Sequence, residues 1–326
     1  MSFALETTTI ATGGDASPPV FVGSAAVAAT AQETDIRDWI ALLKPRVMSL
    51  VVFTGAIGVL IAPGGINPVL GLTAVLCIAV GAGACGAINM WYDRDIDALM
   101  RRTRNRPIPA GRMPPGAALG FGITLATAAV LLMFVAINAV AAGVLALSIV
   151  FYVFIYTMWL KRRTPQNIVI GGAAGAFPAV IGWAAVTGSV SLVPLVLFAI
   201  VFFWTPAHFW SLALYANEDY KRAGVPMLPV VAGARETRRQ IMLYTVVLAG
   251  VSLLPWAIGF SGPIYGATAL LLGAGFLLSA WRVLADTQDA TGVSRTGDAP
   301  ARAAFRYSLA YLFLLFAALA VDRLVG

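Results

Sequence analysis

From residue 47 onward, long apolar blocks alternate with short charged or Pro/Gly-rich breaks. Nine blocks are predicted as membrane spans: 47–62, 69–91, 117–137, 140–160, 168–187, 192–216, 241–260, 265–284 and 307–321. Most approach the ~20 residues that carry a helix across a bilayer. Backbone groups in lipid need partners within their own segment, so helices are the expected form. The period-2 alternation of a membrane barrel is absent. The fold class is therefore all-α, a polytopic membrane protein with about nine transmembrane helices. Gly81-Ala82-Gly83-Ala84 and Gly171-Gly172-Ala173-Ala174-Gly175 suit close helix packing.

Composition sharpens this reading. Sixty per cent of the 326 residues are hydrophobic and 11% are charged, with mean hydropathy +0.85. Soluble domains carry about 25% charged residues. Cys77 and Cys85 both lie inside one apolar block, so no disulfide framework is indicated. The net charge of +7 would suit nucleic acid, but its distribution points to a bilayer instead. Of 22 Lys and Arg, 20 fall in the N-terminal segment or in the loops after blocks two, four, six and eight, and Arg282 ends block eight on the same side; Arg323 is the exception. The positive-inside rule then predicts a cytoplasmic N-terminus and a periplasmic C-terminus in a bacterial inner membrane. No nucleic-acid partner is expected. Residues 1–36 lack the positive n-region of a signal peptide and read as a disordered cytoplasmic tail, with 37–326 the transmembrane domain. Residues 286–302 are a second polar, mobile-looking segment.

Carboxylates are scarce, and 14 of the 15 fall on the cytoplasmic side. Asn89, Asp93 and Asp97 are spaced i, i+4, i+8 where the second block ends, which puts them on one face of a helix. Like charges at this spacing repel, and a helix C-terminus is already partly negative. A hard cation relieves both, and Mg²⁺ commonly takes one or two carboxylates plus substrate phosphates. Arg101-Arg102-Thr103-Arg104-Asn105-Arg106-Pro107 follows at once, and arginines beside paired carboxylates suit a diphosphate. A solvated helix end beside an ordinary positive-inside loop is the plainer alternative. No nucleotide-binding loop is present.

A second acidic group, Tyr215-Ala216-Asn217-Glu218-Asp219, ends the sixth block, 126 residues after Asp93. Both acidic ends close the second span of a four-span block. Two four-helix blocks plus a final helix would bring them together at a repeat interface. Asp93, Asp97 and Asp219 form the expected catalytic set, with Asn89 joining them as metal ligands. His208, the sole histidine, lies 11 residues before Asp219 and shares its face with Tyr215. Iron ligation, proton transfer and a plain interhelical hydrogen bond are all open to it.

Asn89-x3-Asp93-x-Asp95-Ile96-Asp97, with Arg102-Thr103 and Arg106-Pro107 after it, resembles the first signature of the intramembrane UbiA-type prenyltransferases. Lys44-Pro45-Arg46, the run from Lys161 to Gly172, the segment Trp204–His208–Trp210 and Val225-Pro226-Met227-Leu228-Pro229 are similar to the haem-farnesylating branch of that superfamily. Two positions depart from the pattern: Tyr215 stands where aromatic-acceptor members carry an acid, and Ala207 replaces a proline. The resemblance implies nine helices around a central cavity, with Mg²⁺ and farnesyl diphosphate at its cytoplasmic mouth and haem b as acceptor. It assigns Asn89, Asp93, Asp97 and Asp219 to the metal–diphosphate, and Arg102, Arg106, Lys161 and Arg162 to phosphate oxygens. Lys44 and Arg46 would meet diphosphate or haem propionates, and His208 and Tyr215 would contact substrate. A downstream haem-modifying enzyme or terminal oxidase assembly is an implied partner. A quinone-precursor acceptor and a cation-coupled transporter are the competing readings.

Overall fold

A computed structural model describes residues 34–290 and 292–325. The predicted tail, up to residue 33, lies outside the described residues. Among the described residues eight helices are long and apolar enough to cross a membrane. They are α3 (Pro68–Tyr92), α5 (Pro115–Ala136), α6 (Ala139–Leu160), α7 (Asn167–Thr187), α8 (Leu192–Tyr215), α11 (Gly233–Val251, continued by α12, Leu254–Ala257), α13 (Pro263–Leu284) and α14 (Ala299–Val325). The ninth is a bent pair, α1 (Ile36–Leu42) and α2 (Pro45–Ile61), turned by 51° at their junction. Short helices α4 (Arg94–Leu99), α9 (Asn217–Arg222) and α10 (Leu228–Val231) fill the loops.

The boundaries follow local chemistry. Proline starts α2, α3, α5 and α13, where a missing N–H costs nothing. Asn67 and Asn138 cap α3 and α6 by accepting from Val69 N and Ala141 N, at 2.9 and 2.8 Å. The last ten residues of α6, Phe151–Leu160, widen into π-helix, so that Lys161 N donates to Tyr156 O.

Packing joins the two halves. α7 lies against α2, α3 and α6 on one side and α8 on the other, while α14 returns to pack on α8, α13 and α2. The α2–α7 crossing is a backbone approach. A Cβ on Gly58 would strike Ala179 O, and one on Gly182 would strike Gly55 O. Small residues at a crossing let two backbones touch where lipid supplies no hydrophobic drive. Large apolar residues such as Val69, Leu72, Val135 and Leu271 face outward.

The helices overrun the apolar blocks in two places. α11 begins at Gly233 because Arg238, though charged, points inward and is sealed. It donates to Gly292 O (2.9 Å) and Asp298 Oδ1 (3.1 Å) and lies 3.6 Å from Asp286. These bonds tie down the 286–302 segment, which the sequence marks as polar and mobile. At the opposite end of the molecule Asp322 holds the start of α13, accepting from Gly262 N, Ile264 N and Tyr265 N. That accounts for the one carboxylate away from the acidic end, since an anion suits a helix N-terminus.

Candidate active site

Both acidic helix ends are broken at the same point. α3 stops at Tyr92, Asp93 turns (φ −88°, ψ 7°), and α4 restarts at once. α8 stops at Tyr215, Ala216 turns (φ −103°, ψ 13°), and α9 restarts. The single straight face predicted for Asn89, Asp93 and Asp97 is therefore kinked at its middle residue. The cause is electrostatic. A continuous helix would stack these acids at a negative C-terminus, whereas the break puts Asp95 and Asp97 in the first turn of a new one, where negative charge is favoured.

Asn89, Asp93 and Asp97 are 4%, 0% and 1% exposed, so their charge must be met by protein groups. Lys161 donates to Asp93 Oδ2, and Arg162 sits 3.5 Å from Asp93 Oδ1. Arg162 also grips Asp95 with two bonds of 2.7 Å. Arg106 donates to Asp97 Oδ2 at 2.6 Å, and Lys44 to Asn89 Oδ1 at 2.6 Å. The Asn89 amide closes the set, donating to Asp93 Oδ2 (2.7 Å) and to Thr157 Oγ1 (3.2 Å) in the π-helical turn. Burial opposes a charge on Lys161, but Asp93, Tyr156 and Asp97 together outweigh it and hold the ammonium above its usual range. The Arg162 hydrogen bonds hold the exposed Asp95 carboxyl below its usual range.

Lys44 is one of two non-glycine residues among those described with positive φ (50°), and it precedes a proline. That conformation is strained for a side chain with a Cβ. The bond to Asn89 and the close pass of its stem by Gly86 hold it there. The strain buys position: it turns Lys44 inward while Arg46, two residues on, faces a different space.

Two oxygens of this cluster, Asp93 Oδ1 and Asp97 Oδ1, are sealed from solvent without a hydrogen-bond donor among the described residues. They are hard ligands in the sense Mg²⁺ requires. Asp219 Oδ1 accepts from Arg222 at 2.8 Å. Among the described residues no three His, Cys, Asp or Glu side chains gather closely enough to hold a metal by themselves. Each carboxylate of the expected ligand set has its own cation: Lys161 for Asp93, Arg106 for Asp97 and Arg222 for Asp219. The two ends do face one side. Ile96 and Met100 pack with Leu214, Tyr220 and Ala223 in one buried cluster.

Beneath the cluster, a cavity of about 600 Å³ runs between α2, α6, α7, α8 and α14. Its walls include Arg46, Tyr152, Tyr156, Trp204, Thr205, His208, Phe209 and Phe305. Tyr156 connects everything: it lines the cavity and lies within electrostatic reach of Lys161, Asp93, Tyr220 and Arg102. Gly171 makes room for it, since a Cβ there would overlap the Tyr156 ring. His208 is buried between the rings of Trp204 (4.3 Å) and Phe305 (4.5 Å). Phe305 also meets Tyr215 edge-on at 6.2 Å, so His208 and Tyr215 share a face as predicted, while Asp219 lies beyond the helix break. Arg302 stacks over Tyr215 at 4.4 Å. The side chains of Arg46 and Arg102 make no hydrogen bond or ion pair among the described residues.

Sequence reasoning missed Thr157, Tyr152 and Tyr156, which sit in an apolar run whose π winding no period reveals. An aromatic-rich turn just before Lys161 was the available signal.

The chain has relatives in sequence and in fold. Residues 51–309 match the UbiA prenyltransferase family, and the chain belongs to that family. Its relatives include the protoheme IX farnesyltransferases of Granulibacter bethesdensis (70% identical, covering 88% of this chain and 91% of the relative) and Acidiphilium cryptum (66%, 88% and 91%). Among solved structures, digeranylgeranylglyceryl phosphate synthase shares the fold with a TM-score of 0.72 at 18% identity, over 89% of this chain and 99% of that one. A UbiA homologue from Archaeoglobus fulgidus bound to GPP and Mg²⁺ does so at 0.59 and 17%, over 86% and 99%.

Proposed function

We propose that this protein transfers the farnesyl group of farnesyl diphosphate to a vinyl group of haem b, giving haem O and diphosphate. The reaction class rests on one juxtaposition: a buried acid–cation cluster meets a membrane-depth aromatic cavity at Tyr156. The acceptor rests on relatives 66–70% identical over most of both chains, all named for protoheme IX. Loss of diphosphate from an allylic carbon develops negative charge on the leaving group. Lys161, Arg162 and Arg106 stand where that charge appears, and Arg102 is free to meet it from the rim. The carboxylate oxygens Asp93 Oδ1 and Asp97 Oδ1, with Asn89, would hold Mg²⁺, and Asp219 would complete the mouth. Bound Mg²⁺ supplies Lewis-acid stabilisation of the departing diphosphate. The aromatic walls exclude water while farnesyl C1 bonds to the terminal vinyl carbon. Water then adds its oxygen to the inner vinyl carbon and releases a proton. Lys44 serves the acid cluster, and Arg46, alone in the cavity wall with its charge, receives the haem propionates.

Among the described residues no carboxylate lines the cavity, so a coupled-ion path lacks an acidic group at that depth. The mouth is placed at the cytoplasmic face of the bacterial inner membrane, with haem O passing to a haem-modifying enzyme or oxidase. The test is to incubate enzyme-containing membranes with farnesyl diphosphate and haem b and separate the haems by chromatography. A more hydrophobic haem should appear, and should vanish when EDTA removes Mg²⁺. No new peak, or one unaffected by EDTA, would overturn the acceptor or the metal respectively.

A further inference from the structure

His208 is held by a residue that no part of the proposed reaction uses. Its Nδ1 lies 2.6 Å from Ser308 Oγ on α14. That hydroxyl already donates to Phe305 O at 2.7 Å. A hydroxyl has one hydrogen, so toward His208 it is an acceptor, and Nδ1 must carry the proton. The Ser308 backbone is itself fixed, because Trp204 Nε1 donates to Ser308 O at 2.8 Å. With Nδ1 protonated, Nε2 holds the free lone pair. Trp204 and Phe305 cover both ring faces and Ser308 covers the Nδ1 edge. Phe209 also meets the ring edge-on at 5.1 Å, yet His208 lines the cavity, and its Nε2 has no partner among the described residues and, unlike Trp210 Nε1, is not sealed.

We propose that Ser308 is a positioning residue that fixes His208 as the Nδ1–H tautomer, so that Nε2 ligates the iron of the acceptor haem. This rests on haem b being the acceptor. The orientation is that of protein metal ligands, whose second ring nitrogen donates to a fixed acceptor. The surroundings choose ligand over base. An iron ligand stays neutral, which an apolar slot favours. A base must end as imidazolium, and among the described residues the one charged side chain in the cavity wall is Arg46, of like sign.

The purified enzyme is titrated with ferric protohaem IX without farnesyl diphosphate, and absorption and electron paramagnetic resonance spectra are recorded. The wild type should show a histidine-ligated spectrum. His208→Gly should lose it while still binding haem, and added imidazole should restore it. Ser308→Ala should weaken ligation by about 10- to 100-fold, and Ser308→Thr, which keeps the hydroxyl, should recover most of it. A His208→Gly spectrum identical to wild type overturns ligation, including where turnover is lost, since that pattern marks a base. A Ser308→Ala spectrum and affinity unchanged from wild type overturns the positioning role. Wild type that binds no haem refutes the acceptor instead, and the absence of haem O in the chromatographic assay reports that failure separately.

Discussion

The residue with most at stake is Asp93, sealed at the meeting point of Asn89, Lys161 and Arg162. Asp93→Asn removes a charge without changing shape, so the protein should fold while Mg²⁺-dependent transfer falls below detection. Near-normal transfer would remove the metal assignment. Lys161 is the complementary case. Lys161→Met deletes a cation that neutralises Asp93 and that the proposed reaction sets against the leaving group. Breaking a buried pair costs about 3–5 kcal/mol, and losing one charge-stabilising donor lowers kcat by about 10²–10³-fold. Lys161→Arg should retain fold and part of the rate. Asp93, Tyr156 and Asp97 together raise the Lys161 ammonium above its usual range, so its contribution is complete below about pH 10 and lost only as pH rises further. Any loss of activity between pH 7 and 9 must therefore come from another group, and Lys161→Arg should leave that part of the profile in place.

At the scale of elements, two glycines on α7 make separable predictions. At Gly182 a new methyl meets the backbone carbonyl of Gly55, which cannot move without parting α2 from α7. Gly182→Ala should lower stability by about 1–3 kcal/mol, read as an earlier thermal transition in detergent. At Gly171 the obstacle is the Tyr156 side chain, which can swing away. Gly171→Ala should spare stability and instead raise KM, because Tyr156 would move into the cavity. Equal effects of the two would mean that α7 packs differently. These contrasts also show where sequence suffices. The apolar blocks locate the helices to within a few residues, because lipid enforces continuous apolar length, except at the charged starts of α11 and α14, which extend beyond their blocks. The acidic pairs and Arg106, Lys161 and Arg162 are legible too, since charge is scarce and stands out. The break at Asp93 is not: 3.6-residue spacing describes an intact helix and contains no term for repulsion at its end. Nor is the winding of Phe151–Leu160, because an apolar run reads the same in α and π form. Ser308 is hidden for a third reason, since its partner lies 100 residues away on another helix.

For the whole molecule, the two halves make one site only if α3 and α8 end on the same side, as the cluster of Ile96, Met100, Leu214 and Tyr220 requires. By the positive-inside rule, the Arg and Lys distribution predicts that this side faces the cytoplasm. The native thiols, Cys77 and Cys85, are buried, so an introduced cysteine reports without background. Ser189, exposed after α7, belongs to the opposite side from Val293, exposed before α14. In spheroplasts a membrane-impermeant maleimide should label Ser189→Cys at once and Val293→Cys only after lysis. The reverse order would invert the protein and move the diphosphate site to the periplasm, away from any cytoplasmic supply of an allylic diphosphate. Labelling of both before lysis would break the nine-span count, since the two positions are separated by three spans. The chemistry argued for the mouth depends on this orientation as much as on any side chain, because an ionic substrate with a hydrocarbon tail must reach Lys161 from water and the cavity from lipid.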